Sequence, residues 1–143
     1  MTLWNIRPQR LVALCGLWAS VHAFAASTPC PDAIDMNALQ LQGQWMVQVT
    51  GQPRMWLLQL EPHPEHTGSL RGQLQTGSQR HAVVADLDDG EFTLEETHDG
   101  QHIAATWLGR VQAGSCGQTL RGERLADPAS PAAFVMRRNG PAR

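Results

Sequence analysis

Apolar and polar residues alternate with a period of two along most of the chain from Gly43 onward. In the first such stretch Trp45, Val47 and Val49 share one parity, and polar residues occupy most of the other. Alternation of this kind is typical of a half-buried strand, because successive side chains in a strand point to opposite faces of the sheet. The pattern therefore predicts a first strand over 43–50, around which the rest of the chain is arranged.

Seven further alternating stretches follow, and each is short and bounded by residues that favour turns. Asp88-Asp89-Gly90 predicts a tight hairpin, because Asp and Gly tolerate the backbone conformation of such turns, and His98-Asp99-Gly100 predicts the next hairpin. Eight short strands without a long stretch of helical period predict an all-β fold, a small eight-stranded antiparallel up-and-down barrel. The predicted second to eighth strands are 54–61, 69–76, 80–87, 91–97, 101–109, 118–125 and 132–138.

The inward-facing positions of these strands hold large apolar side chains. A barrel of eight strands is just wide enough for such side chains to fill it, so the pattern predicts a packed core rather than a cavity. The triplets Leu70-Arg71-Gly72 and Leu120-Arg121-Gly122 both place a glycine inward, which indicates a need for a small residue where the barrel narrows. The inward set includes Trp45, Trp56, Phe92, Ile103, Trp107 and Phe134.

The first 25 residues have the pattern of a signal peptide. Arg7 and Arg10 precede an apolar run over 11–21, and Ala23 and Ala25 are small residues at the two positions that a signal peptidase reads. The run is short for a membrane span, and a retained membrane anchor is the alternative. The chain is therefore predicted to be exported to the periplasm or secreted, with no membrane span after cleavage. The predicted divisions are a signal peptide over 1–25, an N-terminal segment over 26–42, a barrel domain over 43–139 and a tail over 140–143.

The N-terminal segment carries a short apolar pattern after two prolines. Asp32 is placed to cap a helical turn that buries Ile34, Met36 and Leu39, and Gly43 is placed to end it. We expect one or two turns there, packed across one end of the barrel.

Two cysteines remain once cleavage of the predicted leader has removed Cys15. Cysteines in an oxidising compartment usually pair. The alternative is a metal-binding or catalytic thiol, but neither cysteine belongs to a Cys-x-x-Cys motif. In an up-and-down barrel, the segment that holds Cys30 and the loop that holds Cys116 fall at the same end. A structural Cys30–Cys116 disulfide is therefore predicted. The last strand closes on the first at that end, so Arg138 is expected to lie over Trp45.

Composition removes several functional classes. The chain has 143 residues and a formal net charge of −2, which is enough for one domain, and its 11 basic residues are all Arg. A mildly acidic chain without a basic stripe is a poor nucleic-acid binder. The lack of Lys excludes Schiff-base chemistry, and no serine-hydrolase, zinc-protease or phosphate-loop motif is present. We therefore expect a protein that is not an enzyme and needs no cofactor.

One loop places two imidazoles and a carboxylate close together. His63-Pro64-Glu65-His66 could hold a metal at the surface, but two histidines on one loop make a weak site. His98 and His102 flank a predicted hairpin in the same way. A solvated polar loop is the favoured interpretation of both pairs, so no metal is predicted.

Four polar residues are expected to face inward at the end of the barrel opposite Trp45. By parity they are Arg54, His81, Glu96 and Gln101. Charged groups that point into a barrel need partners, so an Arg54–Glu96 ion pair closing this end is one interpretation. The other is that the four residues anchor a small polar or amphipathic ligand.

Gly43-x-Trp45 at the start of the first strand and Arg138 on the last strand resemble the structural signature of the lipocalin and avidin-like barrels, the calycins. The resemblance implies that Trp45 and Arg138 close one end and that the other end opens to a ligand. The chain is also similar in plan to the exported metalloprotease inhibitors of Gram-negative bacteria. That similarity implies an N-terminal segment that enters a protease cleft.

Charge is distributed unevenly over the predicted barrel, with acidic residues on the hairpin of strands four and five and arginines on strands seven and eight. Such an arrangement can steer a protein partner. We expect an exported, monomeric barrel that binds another protein through its N-terminal segment or its end loops. Inhibition of a hydrolase is one form that such binding could take. The alternatives are lipocalin-like carriage of a small apolar ligand and a structural role in the cell envelope.

Overall fold

The computed structural model describes residues 29–140, and within them the chain forms a closed antiparallel barrel in which each strand pairs with the next and β8 pairs with β1. The predicted fold class is confirmed. The predicted leader, Cys15 and the end of the predicted tail lie outside the described residues. The strands are β1 (Gly43–Val49), β2 (Trp56–Pro62), β3 (Leu70–Thr76), β4 (Gln79–Asp88), β5 (Glu91–Thr97), β6 (Ile103–Val111), β7 (Thr119–Leu125) and β8 (Ala132–Arg138). No helix among residues 29–140 is long and apolar enough to cross a membrane.

The two predicted hairpins differ in how closely the structure matches them. Asp89 and Gly90 join β4 to β5 with φ of 47° and 76°, which confirms the first predicted hairpin. The second predicted hairpin is also present, because β5 and β6 pair antiparallel, but five residues, 98–102, connect the strands instead of the predicted 98–100. A register shift between Glu96 and Thr97 accompanies this longer connection. It breaks the alternation, so Ile103 is 56% exposed instead of facing inward.

Large side chains fill the interior of the barrel. Trp45, Phe92, Trp107 and Phe134 are at most 2% exposed. Trp107 makes edge-on contacts with Phe134 and with the half-buried Trp56, at centroid distances of 5.1 and 6.1 Å. The buried leucines that surround them are Leu41, Leu58, Leu60, Leu70, Leu74, Leu87, Leu94 and Leu120.

The inward glycines of β3 and β7 are required by close approach of the neighbouring strand. A Cβ atom on Gly72 would lie 1.9 Å from the carbonyl oxygen of Gln59, and one on Gly122 would lie 2.0 Å from that of Leu108. Both obstacles are backbone atoms, so no side-chain rotation relieves the overlap. This is the physical reason for the two similar triplets in the sequence.

We expect Gly122→Ala to lower the free energy of unfolding by about 2 kcal/mol, because the strands must separate to admit the methyl group. Urea denaturation followed by tryptophan fluorescence measures the loss. Glu123→Ala is the matched control, since Glu123 is exposed on the same strand and should change stability by less than about 0.5 kcal/mol. Equal effects of the two substitutions would contradict the steric argument.

The N-terminal segment forms two short 3-10 turns, Ala33–Asp35 and Ala38–Leu41, separated by an extended Met36. The predicted burial of Ile34 and Leu39 is wrong: Ile34 is 62% exposed and Leu39 is 39% exposed. Two turns with a break between them bury a different face from one continuous turn. That face consists of Met36, Ala38 and Leu41. The side chain of Asp32 makes no capping hydrogen bond.

The Cys30–Cys116 disulfide ties this segment to the loop between β6 and β7, with the two Cα atoms 4.8 Å apart. That separation lies within the range that a disulfide spans. Met36 packs against Gly117 in the same loop, where a Cβ atom would lie 2.3 Å from the Met36 methyl carbon. The segment is therefore held to one end of the barrel both covalently and by packing.

Candidate functional site

The two ends of the barrel differ in chemistry. The end that carries Trp45, the N-terminal segment and Cys30–Cys116 is termed the disulfide end. The opposite end, where Glu96 and Arg124 lie at the ends of β5 and β7, is termed the polar end. Each end is built by the strand termini and loops that the up-and-down topology brings together there.

At the disulfide end, Arg138 lies over the Trp45 ring, with its guanidinium carbon 4.5 Å from the ring centroid. Its two terminal nitrogens donate hydrogen bonds to the carbonyl oxygens of Gln42 and Gln40, at 2.5 and 2.6 Å. The indole nitrogen of Trp45 donates to the carbonyl oxygen of Leu41 at 2.8 Å. Burial lowers the pKa of Arg138. The pair thus fastens the second 3-10 turn across the end of the barrel.

We expect Arg138→Ala to cost about 2 kcal/mol of unfolding free energy, because it removes two charge-assisted hydrogen bonds and the stacking on Trp45. Arg138→Lys should lose nearly as much, since an ammonium cannot reproduce the planar fork. Thermal and urea unfolding measure both. Arg137→Ala is the control, because Arg137 is exposed on the same strand; an equal loss there would contradict the assignment.

Glu96 is the centre of the polar end, and it is 1% exposed. Its Oε2 accepts hydrogen bonds from Nε and Nη2 of Arg124, at 3.0 and 2.9 Å, and from the indole nitrogen of Trp107, at 3.2 Å. Its Oε1 lies 3.0 Å from Nε2 of His98. Burial alone raises the pKa of Glu96, but the hydrogen bond from His98 and the charge and hydrogen bonds of Arg124 outweigh burial and hold it below its usual 4.5.

The structure brings together only two of the four polar residues expected to face inward here. His81, 8% exposed, and Glu96 are buried. Arg54 and Gln101 lie exposed in turns, so the proposed Arg54–Glu96 ion pair is wrong. Their strands begin two residues later than predicted, which takes both residues out of the barrel wall.

Arg124 is the partner that the sequence reasoning missed. It continues the inward parity of Leu120 and Gly122 on β7, so the alternation pattern did contain the signal. Its guanidinium carbon lies 5.5 Å from the Trp56 ring and 5.4 Å from the Trp107 ring. A half-buried arginine between two indoles, with a carboxylate in front of it, closes the polar end of the core.

The rings of His81 and His98 pack against each other beside this ion pair, with centroids 4.1 Å apart and planes tilted by 41°. Nε2 of His81 lies 3.2 Å from the hydroxyl of Thr76, whereas its Nδ1 is buried and has no hydrogen-bond partner among the described residues. Burial, followed by repulsion from His98, lowers the pKa of His81 below its usual 6.5. The imidazole is therefore neutral at physiological pH.

Two further histidines, His63 and His102, have local hydrogen-bond partners. His102 Nδ1 lies 2.7 Å from Asp99 Oδ2, and this contact, with backbone hydrogen bonds, lowers the pKa of Asp99 to about 2. Nδ1 of His63 accepts hydrogen bonds from the backbone amides of Glu65 and His66, both at 3.1 Å. His63 therefore organises its own loop, whereas the side chains of His98 and His102 contact Glu96 and Asp99, respectively.

Comparison of the chain with protein-family models and with curated proteins gives no match in either case. The class of protein is defined by the fold alone. It is that of the small, closed, eight-stranded antiparallel barrels, and the up-and-down order of the strands is consistent with a calycin-like fold.

Proposed function

We propose that this protein is an exported, monomeric barrel without enzymatic activity that binds another protein through its disulfide end. It acts in the periplasm or outside the cell as a compact relative of the calycin barrels. The observation that carries the proposal is the filled interior: four large aromatic side chains, Trp45, Phe92, Trp107 and Phe134, occupy the space in which a carrier would hold its ligand. Recognition is therefore assigned to the outer surface.

The disulfide end carries the most exposed of the large apolar side chains among residues 29–140. Ile34 is 62% exposed, and Leu39, 39% exposed, lines a surface groove between the N-terminal segment and the ends of β1 and β2. Leu60 and Arg138 also line this groove. An apolar side chain on a segment held by a disulfide loses little conformational entropy on binding, which favours it as an anchor.

The charges on the outside of the barrel support a protein partner. Exposed Asp86 and Glu95 lie on β4 and β5, whereas exposed Arg121 and Arg137 lie on β7 and β8, on a different side of the closed barrel. A molecule with opposite charge on its two sides orients an approaching partner before contact. Such steering raises the association rate and makes it dependent on ionic strength.

The test is a binding experiment with matched surface variants. The protein, expressed from its full coding sequence, is immobilised and exposed to an envelope extract of the organism that encodes it, and retained proteins are identified by mass spectrometry. The double variant Ile34→Asp with Leu39→Asp removes the proposed anchors. Met55→Asp with Leu108→Asp is the control, because both residues are 49% exposed and lie elsewhere on the barrel.

We expect a partner that the native protein and the control variant retain and that the anchor variant loses, with unchanged thermal unfolding in all three. Retention by the anchor variant would overturn the assignment of the disulfide end. Native mass spectrometry of the purified protein adds a second check. A small-molecule adduct that is lost on denaturation would replace the proposal with lipocalin-like carriage, and a bare mass supports it.

A further inference from the structure

Three potential metal ligands converge at the polar end, away from the surface assigned to a protein partner. His81 from β4, Glu96 from β5 and His98 from the turn that follows each offer a ligand atom, and these atoms lie within 4.8 Å of one another. His81 and Glu96 lie on two adjacent strands that pair along most of their length, so two of the three groups are held by the barrel wall. Two imidazoles and one carboxylate form the donor set of many three-residue zinc sites.

The buried Nδ1 of His81 points to a ligand. His81 is only 8% exposed, and this nitrogen has no hydrogen-bond partner among residues 29–140. A buried polar atom without a partner costs stability, so its retention requires an explanation. Since Nε2 faces the Thr76 hydroxyl, Nδ1 is the nitrogen that remains available to an ion.

From this geometry we propose that His81, Glu96 and His98 bind a divalent transition-metal ion of the zinc type. His81 supplies Nδ1, Glu96 supplies Oε1, and the exposed His98 supplies one ring nitrogen. Donors in a tetrahedral zinc site lie about 2.0–2.1 Å from the ion, so the three groups must draw closer together. His98 is the group that moves, because its side chain is 55% exposed whereas the other two are buried.

The partners of Glu96 are compatible with this role. Arg124 and Trp107 both donate to Oε2, which leaves Oε1 bonded only to His98. A ligating carboxylate whose second oxygen accepts hydrogen bonds is a common arrangement, because such contacts orient the ligand. The positive charge of Arg124 weakens the binding of a cation but is already balanced by Glu96. His98 also lines a surface groove, together with Thr106 and Asp127.

The experiment uses untagged protein expressed from the full coding sequence and treated with a chelator before titration. Zinc binding is followed by isothermal calorimetry, and Co²⁺ is added separately because four-coordinate Co²⁺ has intense visible absorption. His98→Ala removes the exposed ligand, and Glu96 keeps its hydrogen bonds from Arg124 and Trp107. The matched controls are His102→Ala, on the same turn, and His63→Ala with His66→Ala, which removes the other pair of neighbouring histidines.

We expect one zinc ion per chain, with a loss of affinity of about tenfold or more in His98→Ala, since even the loss of a residue that only supports a ligand costs roughly 10–100-fold, and no change in either control. Imidazole resonances of His81 in NMR spectra should shift on addition of zinc, which reports on the buried ligand without replacing it. Three results would each overturn the proposal: no bound zinc after dialysis against millimolar zinc, equal affinity in His98→Ala, or loss of binding in His63→Ala with His66→Ala.

Discussion

Serine in place of both Cys30 and Cys116 is expected to lower the free energy of unfolding by about 4–5 kcal/mol. The bond closes a long loop, with a sequence separation of 86 residues, so breaking it returns much conformational freedom to the unfolded chain. Urea denaturation at neutral pH, followed by tryptophan fluorescence, measures the difference. Because a domain of this size is only marginally stable, the loss is a large part of its total stability.

The native protein under reducing conditions is the control for this prediction, and it should unfold at the same urea concentration as the double serine variant. A loss below about 1 kcal/mol would mean that the packing of Met36 and Leu41 holds the N-terminal segment without the bond. The prediction also bears on the proposed function. Ile34 and Leu39 lie on the segment that the bond fastens, so reduction should weaken partner binding before it unfolds the barrel.

Glu96→Gln is expected to lower the free energy of unfolding by about 3 kcal/mol. The substitution leaves the guanidinium of Arg124, whose side chain is 17% exposed, without a charged partner between two indole rings. Replacing both partners by leucine should cost less than the single change, since no buried charge is then left unpaired. Thermal and urea unfolding of the single and double variants measure the difference.

Glu95→Gln is the matched control, because Glu95 precedes Glu96 on β5 and is exposed. It should change stability by less than about 0.5 kcal/mol, and an equally mild effect of Glu96→Gln would contradict the central role of the ion pair. The pH dependence has a defined sign. The pKa of folded Glu96 lies below its usual 4.5, so its stabilisation is complete above that pH and is lost as the pH falls through the folded pKa. The difference between the native protein and Glu96→Gln should therefore shrink in acid.

The architecture of the barrel could be deduced from residue order alone. Alternation along eight short stretches defines which side chains face inward, and the turn residues define where the chain reverses, so strand number, strand order and a filled core all follow. The pairing of Cys30 with Cys116 and the stacking of Arg138 on Trp45 follow in turn from the up-and-down order, because it decides which segments share an end. These features depend on the periodicity of short stretches and on the order of the strands along the chain, and both can be read directly from a sequence.

The chemistry of the polar end was decided only when the strands were in place. Whether Glu96 meets Arg54 or Arg124 depends on where β2 begins and on the register shift at the end of β5, and neither leaves a clear periodic signal. The packing of His98 against His81 depends on the path of a five-residue turn. Inward parity assigns a side chain to the interior, but a hydrogen bond or a metal site requires atoms to meet within a few tenths of an ångström. That precision is a property of the packed structure, because it arises from contacts between strands that are distant in the sequence.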